Sequence, residues 1–434
     1  MPTPPDNETL TFDGWPGGVN NRLRETEPGV TDEADIPASQ YLREAINVDL
    51  TAFGHPMRRE GYAKIQNGFS HSLWSHRELP YGLLVHEGWL SRLWPTGELE
   101  ALQEVQPYAP MSFATVNGEV FWANGVEQGR VTPGGAKHWG LPCGPQPILR
   151  ETADSGLTAG QYRAALVYVD ADGEEYGAGP EGVLDVQGGL EVEVPGSWPE
   201  GAVEARLFVS QANGEILYEY STVDEPATLT ILPTLLGRGR ELETAGRKPP
   251  LPGSIVRYFA GRLWIARRQT LYFTEALRYG LTRPAQGIFM FPADITLIEP
   301  TLDGVYVGHS GGVSFLAGTD PYNMQQTQVS GFAPVRRAST RVPGDRFEVA
   351  ADEVPVWWGV DGAMVAGLPG GQVQQMTKDR LATPEFSIGA LLYREREGMA
   401  QVVSSLKGGG ADSLLGATDT AVAEVRSNNT VLNY

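Results

Sequence analysis

The clearest pattern in this chain is a β-branched or aromatic run, a glycine-centred turn and a second such run. It occurs at residues 261–277, 303–318 and 354–368. Glycine supplies the positive φ that tight turns need, and β-branched and aromatic side chains suit a pleated, half-buried surface. Each stretch therefore predicts an antiparallel β-hairpin. A recurrence about every 40 to 50 residues is typical of the blades of a β-propeller.

The same alternation runs through the N-terminal third of the chain. A strand is predicted over residues 46–50, a turn at Phe53 and Gly54, and a second strand that ends in residues 58–62 and gives the hairpin a basic tip. Apolar runs and glycine turns alternate again over residues 73–122. Asn117 and Gly118 are the strongest type I′ turn signal in the sequence. We expect these stretches to form further blade strands.

The pattern changes after the proline-rich residues 141–147. Residues 160–223 show period-two alternation with turn signals at short intervals, which is typical of a β-sandwich of about seven short strands. A second proline cluster within residues 238–253 disfavours regular structure and predicts a linker. The sequence therefore predicts an all-β chain, namely a β-propeller with an inserted immunoglobulin- or fibronectin-like β-sandwich.

This prediction divides the chain into four parts. They are an extended N-terminal arm (residues 1–40), the first part of the propeller (41–147), the inserted sandwich (148–248) and the remainder of the propeller (249–434). The arm is rich in Pro, Gly, Asp and Glu and has few large apolar residues, so we expect it to add little to the stability of the monomer and much to assembly. The glycine-rich residues 407–413 predict an exposed loop.

Composition narrows the function classes. The 53 Gly and 32 Pro fit a turn-dense all-β chain with little helix. The net charge of −20 opposes tight binding of DNA or of an anionic membrane. One cysteine, Cys143, excludes an intrachain disulfide, and six scattered His give no metal-ligand spacing. With no secretory segment and no apolar run of about 20 residues, we expect synthesis in the cytoplasm, no membrane span, no metal and no cofactor.

A propeller hydrolase is the enzymatic alternative. Retaining sialidases of that fold need an arginine cluster, a tyrosine nucleophile with an acidic partner and an acid. The candidate residues are Arg336, Arg337 and Arg341 in one group and Arg58, Arg59, Glu60 and Tyr62 in another. The Ser-x-Asp-x-Gly-x-Thr-Trp turn of such enzymes is absent, as are His-Glu-x-x-His, Gly-x-Ser-x-Gly and a phosphate loop. We therefore predict that the chain is not an enzyme and has no catalytic residue.

Two further groups of residues have a functional and a structural interpretation. The acidic turn with Asp170, Asp172, Glu174 and Glu175 begins like a calcium loop but lacks the flanking helices and the twelfth-position Glu, so an acidic, solvated hairpin tip is the preferred interpretation. The pair Trp357–Trp358 suggests a sugar-stacking platform. Successive strand residues face opposite sides of a sheet, however, so we expect both rings to pack in the fold.

Several segments together resemble a family of bacteriophage virion proteins, the tail-nozzle or packaged-DNA-stabilising proteins. There a Gly-Gly-Val/Leu-Asn arm precedes an Asn-Val-Asp strand, an Arg-Arg-x-Gly-Tyr/Phe strand and a Gly-Arg-Leu-Trp/Tyr-x-Ala blade. The acidic hairpin region resembles the sandwich insertions of phage tail proteins. The matching segments are residues 12–23, 43–65, 162–181, 255–277 and 315–324.

The resemblance implies a structural virion protein in the phage tail. Such a protein forms a homo-oligomeric ring, six-fold favoured, that extends the DNA channel, contacts neighbouring tail or head–tail connector proteins and helps to retain packaged DNA. DNA passes transiently without tight binding, and an acidic lumen favours that passage because like charges repel. The alternatives are a tail-tip or receptor-binding protein that contacts a host-surface glycan and, from another class, a propeller glycan hydrolase. A negative charge that only aids solubility is the simpler explanation of the composition.

Overall fold

The computed structural model describes residues 15, 18–22, 41–42, 44–45, 48–51, 54–58, 63–153, 155–378, 380–396, 399–408, 422–425 and 430–433. Most of the predicted N-terminal arm, with Arg59, Glu60 and Tyr62 and the glycine-rich residues 409–413, lies outside these ranges. The described chain forms two compact units. Unit 1 comprises Met1–Ile65 and Pro292–Tyr434, and unit 2 comprises Gln66–Phe291.

The described structure consists of strands and short connections. Unit 1 begins with β1 (Gly18–Val19), β2 (Tyr41–Leu42), β3 (Val48–Leu50) and β4 (Pro56–Arg58). Unit 2 contains β5 (Ser70–Ser75), β6 (Gly82–His86), β7 (Trp89–Leu93), β8 (Leu99–Glu104), β9 (Ser112–Val116), β10 (Glu119–Ala123), β11 (Gln128–Thr132), β12 (Gly135–Lys137), β13 (Ile148–Glu151), β14 (Gly160–Asp170), β15 (Gly182–Val186), β16 (Leu190–Glu193), β17 (Ala202–Ser210), β18 (Leu217–Val223), β19 (Thr228–Thr230), β20 (Ile255–Phe259), β21 (Arg262–Arg267), β22 (Thr270–Glu275), β23 (Arg278–Thr282) and β24 (Ile288–Met290).

Unit 1 continues with β25 (Ile295–Thr301), β26 (Gly304–His309), β27 (Gly312–Ala317), β28 (Gln325–Ser330), β29 (Pro334–Pro343), β30 (Glu353–Gly359), β31 (Met364–Leu368), β32 (Gln372–Gln375), β33 (Phe386–Arg396), β34 (Met399–Gly408), β35 (Val422–Val425) and β36 (Thr430–Asn433). Two short 3₁₀ turns, at Gly344–Phe347 and Pro369–Gly371, are the helical segments among the described residues. No helix in that part of the chain is long and apolar enough to span a bilayer.

Unit 2 contains antiparallel sheets whose strands follow one another in the order of the chain. Strands β5 to β8 form one such sheet, β9 to β12 a second and β20 to β23 a third, in which β24 also pairs with β22. Both faces of the middle sheet are buried: Val120 and Trp122 pack toward the first sheet, whereas Phe121 and Ala123 pack toward the third. Meander sheets stacked in this way are typical of propeller blades.

The segment between β12 and β20 forms a β-sandwich. Strands β13, β16 and β19 make one sheet, and β15, β14, β17 and β18 make the other. One apolar core joins the two sheets, with Leu166 and Leu207 from the larger sheet and Val192 from the smaller among its buried members. Alternate residues of each strand enter this core, as the period-two pattern predicts. The boundaries of the two compact units differ from those of the predicted four-part division of the chain. That four-part division stays a prediction.

Unit 1 repeats the meander arrangement in β25 to β28 and in β29 to β32, and β33 and β34 extend the second sheet beyond β29. The core on one face of that sheet includes Val19 of β1, which is 1% exposed. Strand β1 pairs in parallel with β2, and the Asn21 side chain bonds the backbone of Ala382 in both directions. We expected the N-terminal arm to add little to the stability of the monomer. This expectation is wrong for residues 18–22, because the side chain of Val19 is buried in the hydrophobic core of unit 1.

The structure confirms the all-β fold class, with blade-type sheets and an inserted sandwich. The three predicted hairpins are present as β21–β22, β26–β27 and β30–β31. Asn117 and Gly118 join β9 to β10 with φ values of 51° and 77°, the left-handed pair that a type I′ turn requires. A hairpin over β3 and β4 turns at Gly54, also at the predicted place.

Candidate functional site

The predicted basic group on β29 does not form one anion-binding site. A register irregularity between Pro334 and Ser339 interrupts the pairing of β29 with β30, and Arg336 and Arg337 are exposed there. Arg341 instead bonds the Pro300 carbonyl at 2.8 Å and lies 3.7 Å from the carboxylate of Glu299, which is almost fully buried. Arg341 therefore has a structural role, because it compensates a buried charge.

Arg336 lines a shallow depression of about 270 Å³ in unit 1, together with Asp294, Ser310, Phe386 and Ser387. An arginine beside an aspartate can orient a polar ligand, but acyl, glycosyl or phosphoryl transfer needs a nucleophile and a base in contact, which this lining does not supply. Among the described residues, no group of three or more His, Cys, Asp and Glu side chains is suited to a metal ion. Glu60 and Tyr62, the other half of the hydrolase hypothesis, lie outside the described residues.

The tryptophan pair lies on opposite faces of its sheet, as the alternation predicted. Trp357 packs with Tyr306 between the two meander sheets of unit 1, and Trp358 packs on the other face with Phe386. Trp357 is 1% exposed and Trp358 is fully buried. Neither ring can therefore stack on a sugar without unfolding of the core.

The most highly charged site in unit 2 surrounds one arginine. Arg130, on β11, has a side chain that is only 7% exposed. Its Nη2 lies 2.6 Å from the Asp172 carboxylate and 3.4 Å from that of Asp170, and its Nη1 lies 3.3 Å from Glu119 and 3.9 Å from Glu174. We call these residues, together with Lys137 and Tyr176, the Arg130 cluster. The cluster joins the β9–β12 sheet to the tip of β14 in the sandwich.

Hydrogen bonds within the acidic turn hold its shape, separately from the contacts with Arg130. One oxygen of Asp170 accepts hydrogen bonds from the backbone N–H groups of Asp172 and Glu174, at 2.9 and 3.0 Å. The other oxygen accepts the hydroxyl of Tyr176 at 2.7 Å. Gly173 takes a φ of 80°, which closes the turn. Such local side-chain bonds favour a tight turn after a strand and hold the carboxylates toward Arg130.

Lys137 on β12 adds a second positive charge, because its Nζ lies 2.7 and 2.8 Å from the two Asp172 oxygens. The hydrogen bond from Lys137, with the charge of Arg130, holds the pKa of Asp172 below its usual value. Burial has the opposite effect on Glu174, whose pKa is raised. Burial and the bond to Asp170 raise the pKa of Tyr176 well above its usual range, so that this phenol stays protonated.

These contacts decide between the two interpretations of the acidic turn. Its position as a hairpin tip is confirmed, but the expectation of a solvated tip is wrong for Asp170 and Glu175, whose side chains are 12% and 13% exposed. Arginine and lysine side chains compensate the carboxylates. The arrangement fastens the sandwich to a blade sheet, and a buried, protonated Tyr176 is unsuited to act as a nucleophile.

Two further ion-pair groups lie near the sandwich and its linker. Glu175 pairs with Arg206 of β17 and with Arg240, which also bonds Glu219 at 2.6 Å. Burial alone would raise the pKa of Glu175, but the hydrogen bond and charge of Arg240 lower it below the usual value. In the second group, three guanidinium groups surround the carboxylate of Glu275, at distances of 2.9, 3.1 and 3.9 Å: those of Arg247, Arg283 and Arg262.

Sequence reasoning missed Arg130, the residue that organises the candidate site. Arg130 lies in a strand of mixed sequence, Gln128–Thr132, and only the structure shows that the last four residues of this strand are buried. A charge in such a position needs a partner nearby in space. Glu119 stands 11 residues before Arg130, but Asp170, Asp172 and Glu174 stand about 40 residues after it, and no local pattern identifies them.

No family model matches this chain, and no curated protein matches it either. Distant likenesses exist among solved structures. BBS1N in complex with ARL6DN is 14% identical, covers 78% of this chain and 90% of its own, and has a TM-score of 0.32. A Bacteroides caccae protein of unknown function is 10% identical over 83% of this chain and 93% of its own, with a TM-score of 0.33.

The Neurospora crassa Pan2 WD40 domain is 10% identical over 77% of this chain and 86% of its own, with a TM-score of 0.31. Likenesses this distant carry no argument about function. The fold class rests on the strand pairing and sheet stacking described above.

Proposed function

We propose that this chain is a structural virion protein of a phage tail, which assembles into a ring that extends the DNA channel and helps to retain packaged DNA. Its partners are further copies of itself and neighbouring tail or head–tail connector proteins. DNA is a passing contact and not a tight ligand.

The arrangement of charge carries the proposal. The chain has 53 acidic and 33 basic residues, and its less exposed arginines are paired with its own carboxylates. Arg92, Arg130 and Arg247 are each less than 20% exposed, and each has a carboxylate partner in the same chain. These guanidinium groups are engaged within the chain, and the net charge of the chain is negative. A wall with this balance repels phosphate and lets DNA slide.

The location of the resembling segments gives further support. Residues 255–277 coincide with β20 to β22, and residues 315–324 include the end of β27 and the turn before β28. These segments are hairpins and turns of the fold. A protein that works by shape and assembly is expected to have its characteristic motifs in such positions.

The test is direct observation of assembled particles. Particles purified from the native host are examined by cryo-electron microscopy with symmetry-free averaging of the tail, and their proteins are identified by mass spectrometry. We expect the chain in the tail as a ring around an axial hole. Absence of the chain from purified particles would contradict the proposal. So would release of reducing sugar from host polysaccharide by the purified protein, lost on mutation of a single carboxylate.

A further inference from the structure

Two segments of unit 1 that contain no charged residue contribute neighbouring strands to its surface. Residues 321–335 and 362–377 contain no Asp, Glu, Lys or Arg, although a fifth of the chain is charged. The two stretches include β28 and β32, which lie next to each other, and each is the terminal strand of its sheet. Their exposed side chains are mostly amides. We call this surface the glutamine edge, and its exposed glutamines are Gln325, Gln326, Gln328, Gln372, Gln374 and Gln375.

Unit 2 has a second surface formed by two segments without a charged residue, and this one is apolar instead of amide-rich. Residues 66–76 and 106–118 also lack Asp, Glu, Lys and Arg. Within them Tyr108 is 78%, Leu73 68% and Phe69 51% exposed, and the rings of Phe69 and Tyr108 lie 5.6 Å apart. Strand β5, which carries Leu73, is the terminal strand of its sheet. We call this surface the aromatic edge. Clustered exposed aromatic side chains are characteristic of contact surfaces.

Hydrogen bonds hold the aromatic edge in shape. Nε2 of His71 on β5 donates to the Pro107 carbonyl at 2.9 Å, and the Met111 backbone N–H donates to the Ser72 hydroxyl at 2.9 Å. The loop that carries Tyr108 is therefore fastened to β5 at two points. A surface fixed in this way loses little conformational entropy when a partner covers it.

We propose that the aromatic edge of one copy docks on the glutamine edge of the next copy. Each copy has a charge of −20, so copies repel one another least where charged side chains are few. The segments that form the two edges contribute no charged residue. Glu87 and Asp320, whose carboxylates accept hydrogen bonds from Phe69 and Asn323, are charged groups beside them. Amide side chains can bond exposed strand backbone, and their planar faces suit aromatic rings. Because the two edges differ, the contact is heterologous, and repeated heterologous contacts form a ring when the rotation between successive copies closes.

This inference rests on the proposed function in so far as a ring needs contacts between copies. The test uses single-cysteine variants made in a Cys143→Ser background, Tyr108→Cys and Gln326→Cys, with a short thiol-specific cross-linker. We expect a cross-linked dimer only when the two variants are mixed. The double variant should give a ladder of products. Gln269→Cys, at an exposed turn elsewhere in unit 2, is the matched control for Gln326→Cys and should give no product with Tyr108→Cys.

A second measurement needs no cross-link. Gln326→Glu combined with Gln374→Glu places two negative charges on the glutamine edge, and sedimentation should show self-association at least about tenfold weaker. Gln269→Glu adds negative charge elsewhere and should leave association unchanged.

The outcomes separate this inference from the proposed function. A cross-link within one chain of the double variant, homodimers of either single variant, or no mixed product at the highest soluble concentration would each overturn the docking of the two edges. A ring seen in particles together with any of these results would leave the proposed function standing. Protection of Tyr108→Cys by a host glycan instead of by a second copy would also overturn the docking and would favour a receptor-binding surface.

Discussion

The Arg130 cluster and the glutamine edge deal with the same excess of negative charge in opposite ways. In the cluster, four carboxylates gather around one guanidinium whose side chain is 7% exposed, with Lys137 beside them. The segments that form the glutamine edge contain no charged residue, and amide side chains are exposed along its two terminal strands.

The difference follows from the role of each region, which is contact within one chain for the Arg130 cluster and contact between copies for the glutamine edge. Charge pairs with fixed geometry orient two parts of one chain, since removal of either partner leaves the other buried and unpaired. A surface that meets another strongly acidic copy gains from neutrality, because any carboxylate there faces the field of the neighbour. Pairing is therefore expected to matter for folding, and neutrality for association.

The largest expected effect is that of Arg130→Met. The substitution leaves Asp170, whose side chain is 12% exposed, without its cation, which should cost about 3–5 kcal/mol of unfolding free energy, measured by denaturant titration. Arg150→Met is the control, because the Arg150–Glu193 pair is exposed and should cost at most about 1 kcal/mol. Arg130→Lys keeps the charge without the planar fork and should fall between them. Equal losses of unfolding free energy for Arg130→Met and Arg150→Met would show that the Arg130 cluster stabilises the fold no more than an exposed ion pair does.

A smaller effect is expected for Tyr176→Phe. Asp170 loses the hydroxyl that donates to it at 2.7 Å but keeps Arg130 and two backbone donors. The expected cost is about 1.5 kcal/mol, the value of one hydrogen bond to a charged group. Tyr108→Phe, at an exposed ring of the aromatic edge, should not change the melting temperature. A loss for Tyr108→Phe as large as that for Tyr176→Phe would contradict the assignment of stability to the cluster.

Acid should weaken the cluster. Because the pKa of Asp172 is lowered in the folded chain, its contribution is complete above the unfolded pKa and is lost as the pH falls through the folded pKa. Glu174, whose pKa is raised, acts in the opposite sense and offsets part of the loss. Between pH 6 and pH 3, the melting temperature of the Asp172→Asn variant should therefore fall by less than that of the unmodified chain. Parallel melting curves across this range would show that the Lys137–Asp172 pair contributes nothing.

The smallest effect is expected from charge added to the glutamine edge of the isolated chain. Gln326 and Gln374 are exposed, so their substitution by Glu should change the unfolding free energy by no more than about 0.5 kcal/mol. Arg130→Met should lower the unfolding free energy, whereas these two substitutions should weaken only the association between copies. A large loss of stability would show that the edge is part of the fold of the monomer and not a surface for a second copy.

The sequence predicts the parts of this fold that depend on local chemistry. Asn117 and Gly118 specify their turn by themselves, and the alternation around Trp357 and Trp358 places one ring on each face. The pairing of Arg130 with Asp170 and Asp172 depends on which sheet the sandwich meets, which no short window contains. The role of Val19 was missed because a strand of two residues is too short to show a period.

The pairing of β1 with β2 has a topological consequence. Residues 18–22 and 41–42 are both fixed to unit 1, by the parallel pairing and by the bonds of Asn21 to Ala382. Residues 18–22 therefore have two attachments to unit 1, the covalent chain and the contacts of β1 and Asn21. A single protease cut between residues 22 and 41 would remove the covalent link and leave the β1 pairing and the Asn21 bonds to hold residues 18–22.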